Sequence, residues 1–298
     1  MAGEPMGFVE RAQNLPELGL GVSTEYGAAD APDALNLRAL RRAAPRLGAF
    51  LEVGVEVAKG LDGQATRWAN AGLPTTYHFL DINLDEPEDM DPIWLAKVRQ
   101  LAGVLKPAWM CGDAGLWHFG PRDRSHMLLL PPILSDASAT AQAEGLVTLR
   151  GAVGLEVLPE NPPGAIFLGE LSLLDFFERV LERADTGMLL DCAHLAMYQR
   201  LMGRPPTDGL ADFPLERIIE LHVAGGSVRA SGGFSWIEDD HAATILPETW
   251  EIFRYVAQRA ENLKAVVVEC ERNPLPVCLP MMRQTAAVLR DSALSGTL

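Results

Sequence analysis

A series of carboxylates and imidazoles strung along this chain has the types and spacing of metal ligands: His78, Asp113, Glu160, Asp191, His194, His222, Asp239, His241 and Glu269. Asp191 and His194 form a D-x-x-H, and Asp239 and His241 form a D-x-H. Glu269 follows an apolar run and shares a strand face with Val267, so its carboxylate points inward among apolar side chains. An ionised carboxylate there is costly without a cation. With few Lys or Arg nearby, interleaved carboxylates and neutral imidazoles are best balanced by a divalent or trivalent metal ion. Each residue alone has a plainer role. His78 could be a satisfied core histidine, Asp191 a helix cap, Asp239 the start of an Asx-turn, and His222 a structural partner of Glu220. The metal reading rests on so many of them falling at strand ends.

Those ends belong to a repeating strand–turn–helix pattern. Strand-like runs occupy residues 18–26, 50–57, 75–84, 108–116, 155–161, 187–194, 218–224 and 265–271, with helix-like runs between most of them. The clearest helix covers 171–184, with Ser172 as N-cap and Asp175 three residues on. Eight β-then-α units without a linker predict one (β/α)₈ TIM barrel spanning residues 1–298. No G-x-G-x-x-G follows the first strand, which removes the main support for a doubly wound sheet. In such a barrel the chemistry sits at the C-terminal ends of the strands, where the candidate ligands fall. His194 cannot share the strand face of Asp191, so the chain must turn between them. His126 has no strand-end position and reads as surface. The long loops 201–213 and 227–245, over the mouth, suit an extended ligand.

Composition narrows the partners. The 298 residues carry 25 Lys+Arg against 40 Asp+Glu, a net charge of −15. That balance disfavours a nucleic-acid backbone and favours a basic or neutral partner segment. No apolar run approaches the ~20 residues of a membrane span, and the N-terminus lacks a secretory signal pattern. Cys111, Cys192, Cys270 and Cys278 form no C-x-x-C and sit in apolar segments. Reduced, inert thiols in a cytoplasmic protein are expected.

The stretches 158–162 (LPENP), 189–194 (LLDCAH), 220–225 (ELHVAG), Asp239–His241 with Trp250 beyond, and 267–269 (VVE) resemble the multinuclear non-haem iron-dependent oxidases. The resemblance covers essentially the whole barrel and rests on the order and spacing of the motifs. It implies two or three iron ions, mixed Fe(II)/Fe(III), with O₂ as co-substrate. It also implies oxidative modification of a residue, often Cys, in a ribosomally synthesised precursor peptide, commonly with a separate peptide-presenting partner protein. Carried over by residue, the metal positions fall on His78, Glu160, Asp191, His194, His222, Asp239, His241 and Glu269. Glu160, Asp191, His222 and Glu269 would form the catalytic core around the central iron.

Two positions depart from the family pattern. Ala114 stands where the fourth strand usually has His, which should weaken one outer iron site, with Asp113 or His118 as candidate substitutes. Gly226 replaces a second His after the seventh strand, which should remove a substrate-facing or acid–base group. The ligand order is also similar to that of endonuclease IV, a zinc phosphodiesterase, and less closely to sugar isomerases of the xylose-isomerase-like barrels.

Overall fold

The computed structural model describes residues 6–28, 34–120, 124 and 127–295, with side chains described up to residue 291. Eight parallel strands close into a barrel: β1 (Gly19–Thr24), β2 (Leu51–Val55), β3 (Thr75–Phe79), β4 (Met110–Asp113), β5 (Val157–Glu160), β6 (Met188–Asp191), β7 (Ile218–Ala224) and β8 (Ala265–Glu269). Neighbours in sequence are neighbours in the sheet, and β8 closes on β1. This is the (β/α)₈ barrel that the repeat pattern predicts. All but β7, which matches its run, are shorter than the apolar runs, chiefly because their C-terminal ends leave the ladder to become loop or helix.

Register sets the site. Gly54 of β2 pairs with His78, Asp113 with Glu160, Asp191 with His222, and His222 with Val267. Alternate residues therefore face the barrel axis at matching heights. Between barrel and helices, Val266 and Val268 belong to the outer apolar layer, whereas Ala265 and Val267 belong to the inner one. Glu269 thus continues the inward face, as its spacing predicts.

The helix Leu173–Ala184 buries Leu173, Phe176, Phe177, Val180 and Leu181 on one stripe, and Ser172 Oγ accepts from the Asp175 amide at 3.1 Å. A short helix without a sequence signal, Phe8–Gln13, sits under the barrel. Its Phe8 packs into an inner cluster with Phe50, Trp109, Leu158, Leu189 and Ile219. Arg11 pairs with Glu156 and Asp185, each at 3.0 Å, so this end carries its own countercharge. Residues 227–245 contain more than a loop. Ser227–Ser231 and Phe234–Glu238 pair as an antiparallel hairpin whose turn, Gly232-Gly233, has positive φ at both residues (59° and 87°). Among the described residues no helix is long and apolar enough to cross a membrane.

Candidate metal centre

The C-terminal mouth of the barrel encloses a cavity of about 170 Å³ whose wall includes Glu52, His78, Asp113, Glu160, His194, Asp239, His241 and Glu269. Asp191 and His222 lie fully buried just behind this wall. Glu160, ending β5, is the hub. Its carboxylate is 2.7 Å from His78 Nε2, 3.3 Å from His222 Nδ1 and 3.5 Å from His194 Nδ1. Ligand-type atoms of His78, Asp113 and Glu160 lie within 4.8 Å of one another, as do those of Glu160, Asp191 and His194 and those of Glu52, His222 and Glu269. Every residue that the sequence singles out as a metal ligand is brought to this one region, apart from His118.

Local structure explains how the D-x-x-H works. β6 ends at Asp191, which becomes the N-cap of the helix Cys192–Leu201, with Oδ1 accepting from the His194 amide at 2.6 Å. The other oxygen, Oδ2, is buried with no hydrogen-bond partner and lies 3.9 Å from both His194 Nε2 and His222 Nδ1. The cap and the inward carboxylate are therefore one residue in two roles. Turning into the first helical turn swings His194 over the mouth, where its Nε2 lies 3.3 Å from Asp239 Oδ2. Asn161, just past Glu160, ties β5 to β6 by hydrogen bonds with the backbone of Asp191 in both directions.

Asp239 and His241 follow the hairpin, and glycines make their approach possible. A Cβ on Gly225 would lie 1.9 Å from the Ala242 carbonyl oxygen, and one on Gly226 would lie 2.7 Å from Ile237. The Gly225-Gly226 pair thus lets the ligand-bearing loop close onto the end of β7. Gly226 is a packing requirement in this chain; a histidine there would collide with the hairpin. His241 itself adopts φ 46°, a left-handed conformation that costs a non-glycine residue energy and that clusters at functional sites. Its Nδ1 is fixed by Glu271 at 2.6 Å, leaving Nε2 towards Asp239 (3.5 Å) and Glu269 (3.7 Å).

At the position where a histidine is expected, Ala114 turns away from the cavity and its neighbour faces it. Ala114 is buried in the layer between barrel and helices, while Asp113, in register with Glu160, lines the cavity beside His78. His118 is not the substitute. It is buried with Nε2 at 2.9 Å from Asp89 and Nδ1 at 2.7 Å from the Gly120 carbonyl, where it pins the loop after β4. His126 lies outside the described residues.

Two residues escaped the sequence reading. Glu52 of β2 is buried with Oε1 2.8 Å from His222 Nε2, although out of line with its N–H direction. Its Oε2 accepts from Thr76 Oγ1 and Cys111 Sγ, each at 3.0 Å. Glu271 supports His241 as described. Glu220 stays clear of the histidine it was weighed against and accepts from Trp109 Nε1 at 2.6 Å. The four cysteines are buried and free, and burial pushes the Cys111 and Cys192 thiols well up, so they act as packing groups.

Electrostatics show what the site lacks. The inner carboxylates Glu52, Asp113, Glu160, Asp191, Asp239 and Glu269 make their close ion contacts with histidines and none with Lys or Arg among the described residues. Arg272, at the rim, faces Glu271 and Glu25 instead. Burial, with Glu160 adding repulsion, pushes Asp113 well up, and burial lifts Asp191 to about 7 despite the nearby His194. For the imidazoles burial works downward and is outweighed by carboxylates: Glu160 leaves His78 raised to about 9, and Glu269 and Glu271 leave His241 raised to about 10. Asp113 Oδ1, Asp191 Oδ2, Asp239 Oδ1, Glu269 Oε2 and both His222 nitrogens have no hydrogen-bond partner, and their convergence means that these groups could hold a metal ion. An all-oxygen-and-imidazole set suits iron, manganese or zinc.

Comparison with known proteins agrees. The chain is 24% identical over 256 residues to a UPF0276 protein of Rhizobium meliloti, covering 84% of this chain and 82% of that one. It is 26% identical over 250 residues to a UPF0276 protein of Caulobacter vibrioides, covering 82% and 84%. In fold it is similar to a xylose isomerase-like TIM barrel protein from Mycobacterium smegmatis in complex with magnesium, with TM-score 0.58, 13% identity, and coverage of 94% and 98%. It is also similar to the IOLI protein with a bound zinc atom, with TM-score 0.56, 10% identity, and coverage of 93% and 97%. The model of the family described as RiPP precursor modification enzyme MbnB/TglH/ChrH matches residues 21–289. With nearly the whole barrel matched and the ligand cluster in place, this chain is a member of that family of precursor-peptide-modifying enzymes.

Proposed function

We propose that this protein is an O₂-dependent non-haem iron oxidase that modifies a residue, cysteine in the first instance, of a ribosomally synthesised precursor peptide. The observation that carries the metal part is the set of buried, unpartnered oxygens and imidazole nitrogens converging on a cavity whose inner carboxylates, among the described residues, pair with no Lys or Arg, the one lining arginine, Arg272, facing Glu271 and Glu25 instead. The peptide part rests on the family.

His78, Asp113 and Glu160 would hold one ion. Glu160, Asp191, His222 and Glu269 would hold a central one, and His194, Asp239 and His241 a neighbour. Iron bound there supplies electrons for O₂ reduction and Lewis acidity towards a substrate thiolate. The chain's own residues do the rest. Glu160, within reach of His78, His194 and His222, would contribute to more than one of these sets. Glu271 holds Nδ1 of His241 and so fixes that ring, while Glu52 sets its negative charge beside His222 Nε2. Trp117, Met127 and Leu129 form the apolar part of the wall and limit water. The cavity has room for one side chain of a peptide, which matches modification at a single residue. A peptide-presenting partner protein, cytoplasmic localisation and mixed Fe(II)/Fe(III) states belong to the same proposal.

The test is co-expression with the short peptide encoded beside the gene, followed by its mass with and without oxygen. An oxygen-dependent mass change supports the oxidase. Unchanged mass under air, together with cleavage of abasic-site DNA by the zinc-loaded protein, overturns it in favour of the phosphodiesterase.

A further inference from the structure

On the outer face of the barrel, the helices Leu37–Ala43 and Gly63–Asn70 enclose a groove of about 780 Å³ that is unlike the rest of the surface. The chain carries a net −15, yet among the described residues no Asp or Glu lines this groove, and Arg38, Arg41 and Arg67 do. Arg38 and Arg67 are exposed and make no ion pair among the described residues. Arg41 is held ready. Its Nη1 donates to the Gly48 carbonyl at 3.2 Å, and its guanidinium lies 5.3 Å from the centre of the Trp68 ring. Trp68 is itself buried and anchored by its Nε1 on the Pro74 carbonyl, which gives the groove a rigid apolar floor, continued by Leu35. Gln64 adds a neutral polar contact.

The groove runs towards the metal centre. Leu35, in its wall, donates its amide to the Glu271 carbonyl at 2.9 Å, and the Glu271 side chain supports His241 and lines the metal cavity. A ligand lying in the groove therefore has its upper end one residue from the barrel rim. Three guanidiniums on two helices, spread along an apolar floor, match carboxylates spaced along an extended chain better than one compact anion.

We infer that this groove binds an acidic, partly apolar segment of the precursor peptide and so delivers the neighbouring segment to the barrel mouth. The inference rests on the peptide-substrate reading above. It divides recognition by charge: an acidic mouth takes a neutral or basic segment, and a basic groove takes an acidic one. The whole-chain charge of −15 conceals this division because it averages over both.

The experiment uses full-length protein and fluorescence anisotropy with a short labelled peptide of alternating Glu and Leu, beside its Gln–Leu counterpart. The Arg38→Glu/Arg67→Glu variant reverses two groove charges and touches none of the metal-centre residues, so its metal content should equal that of the parent. The expected result is binding of the Glu–Leu peptide that weakens with salt, is absent for the Gln–Leu peptide, and falls about tenfold or more in the variant. Equal binding to parent and variant overturns the inference. So does displacement of the peptide by a single-stranded oligonucleotide or by inorganic phosphate at comparable concentration, which would mark a phosphate site. If the variant modifies the encoded peptide at the parental rate, the groove fails while the oxidase reading stands. If peptide binds in the groove and no oxygen-dependent mass change follows, the oxidase reading fails while the groove stands.

Discussion

The two ends of the barrel solve the same electrostatic problem in opposite ways. At the N-terminal end, Glu156 and Asp185 meet Arg11, with Arg150 and Arg217 close by (3.5 and 3.8 Å). At the C-terminal end, Asp113, Glu160, Asp191, Asp239 and Glu269 are gathered without an arginine or lysine contact, and histidines and protons take up the slack. The first arrangement is complete in the protein itself and serves stability. The second has no Lys or Arg partner for its inner carboxylates among the described residues, which is what sets it apart as a candidate site.

If this contrast is right, equivalent damage at the two ends should have opposite consequences. The largest effect is expected from Glu160→Ala. Losing the hub carboxylate should remove at least one metal equivalent and weaken retained metal by about 100-fold or more, as elemental analysis after dialysis would show. Retention of full metal content would break the comparison. Next comes Arg11→Ala. It leaves Glu156 and Asp185 short of a partner and should cost about 2 kcal/mol in denaturant unfolding, discounted for partial exposure, with metal content unchanged.

Glu52→Gln sharpens the comparison within the upper end. It keeps shape but removes the negative charge beside His222 Nε2, so metal affinity should fall about tenfold while circular dichroism stays parental. A further test of the upper end concerns pH. Asp191 is raised to about 7 chiefly by burial, and His78 to about 9 by Glu160 against burial, so metal must displace protons from both. Displacement is easier as pH rises. Apparent affinity should therefore increase about tenfold per released proton for each pH unit between about pH 6 and about pH 8. A flat competition titration against a chelator of known pH dependence would count against proton-held ligands.

Much of this was legible in sequence, and the exceptions have physical reasons. The eight strands announce themselves because parallel strands buried on both faces read as apolar runs. Glu269 was placed correctly by alternation with Val267, and Asp191–His194 by the impossibility of sharing a face. Glu52 was missed because Glu52 and Glu56, alternating with Val53 and Val55, resemble a half-exposed strand; in a closed barrel that second face is the interior. The hairpin after β7 is hidden in a Gly-rich stretch although Gly232-Gly233 is a two-residue turn signal. Phe8–Gln13 is too short for periodicity to register. That Asp113 faces the cavity and Ala114 does not is visible only in the register that pairs Asp113 with Glu160. His118 has the right residue type and only the fold shows that Asp89 already occupies it.

The central claim is that the upper end of the barrel is built around metal. Its most direct test is the metal content of protein purified without oxygen from iron-supplemented cells, with anomalous scattering at the iron edge to locate each ion. The account predicts more than one iron per chain, with peaks among Glu160, His78 and Asp113 and among Glu160, Asp191, His222 and Glu269. Protein that holds no tightly bound metal, or carries zinc alone at these positions, would contradict it.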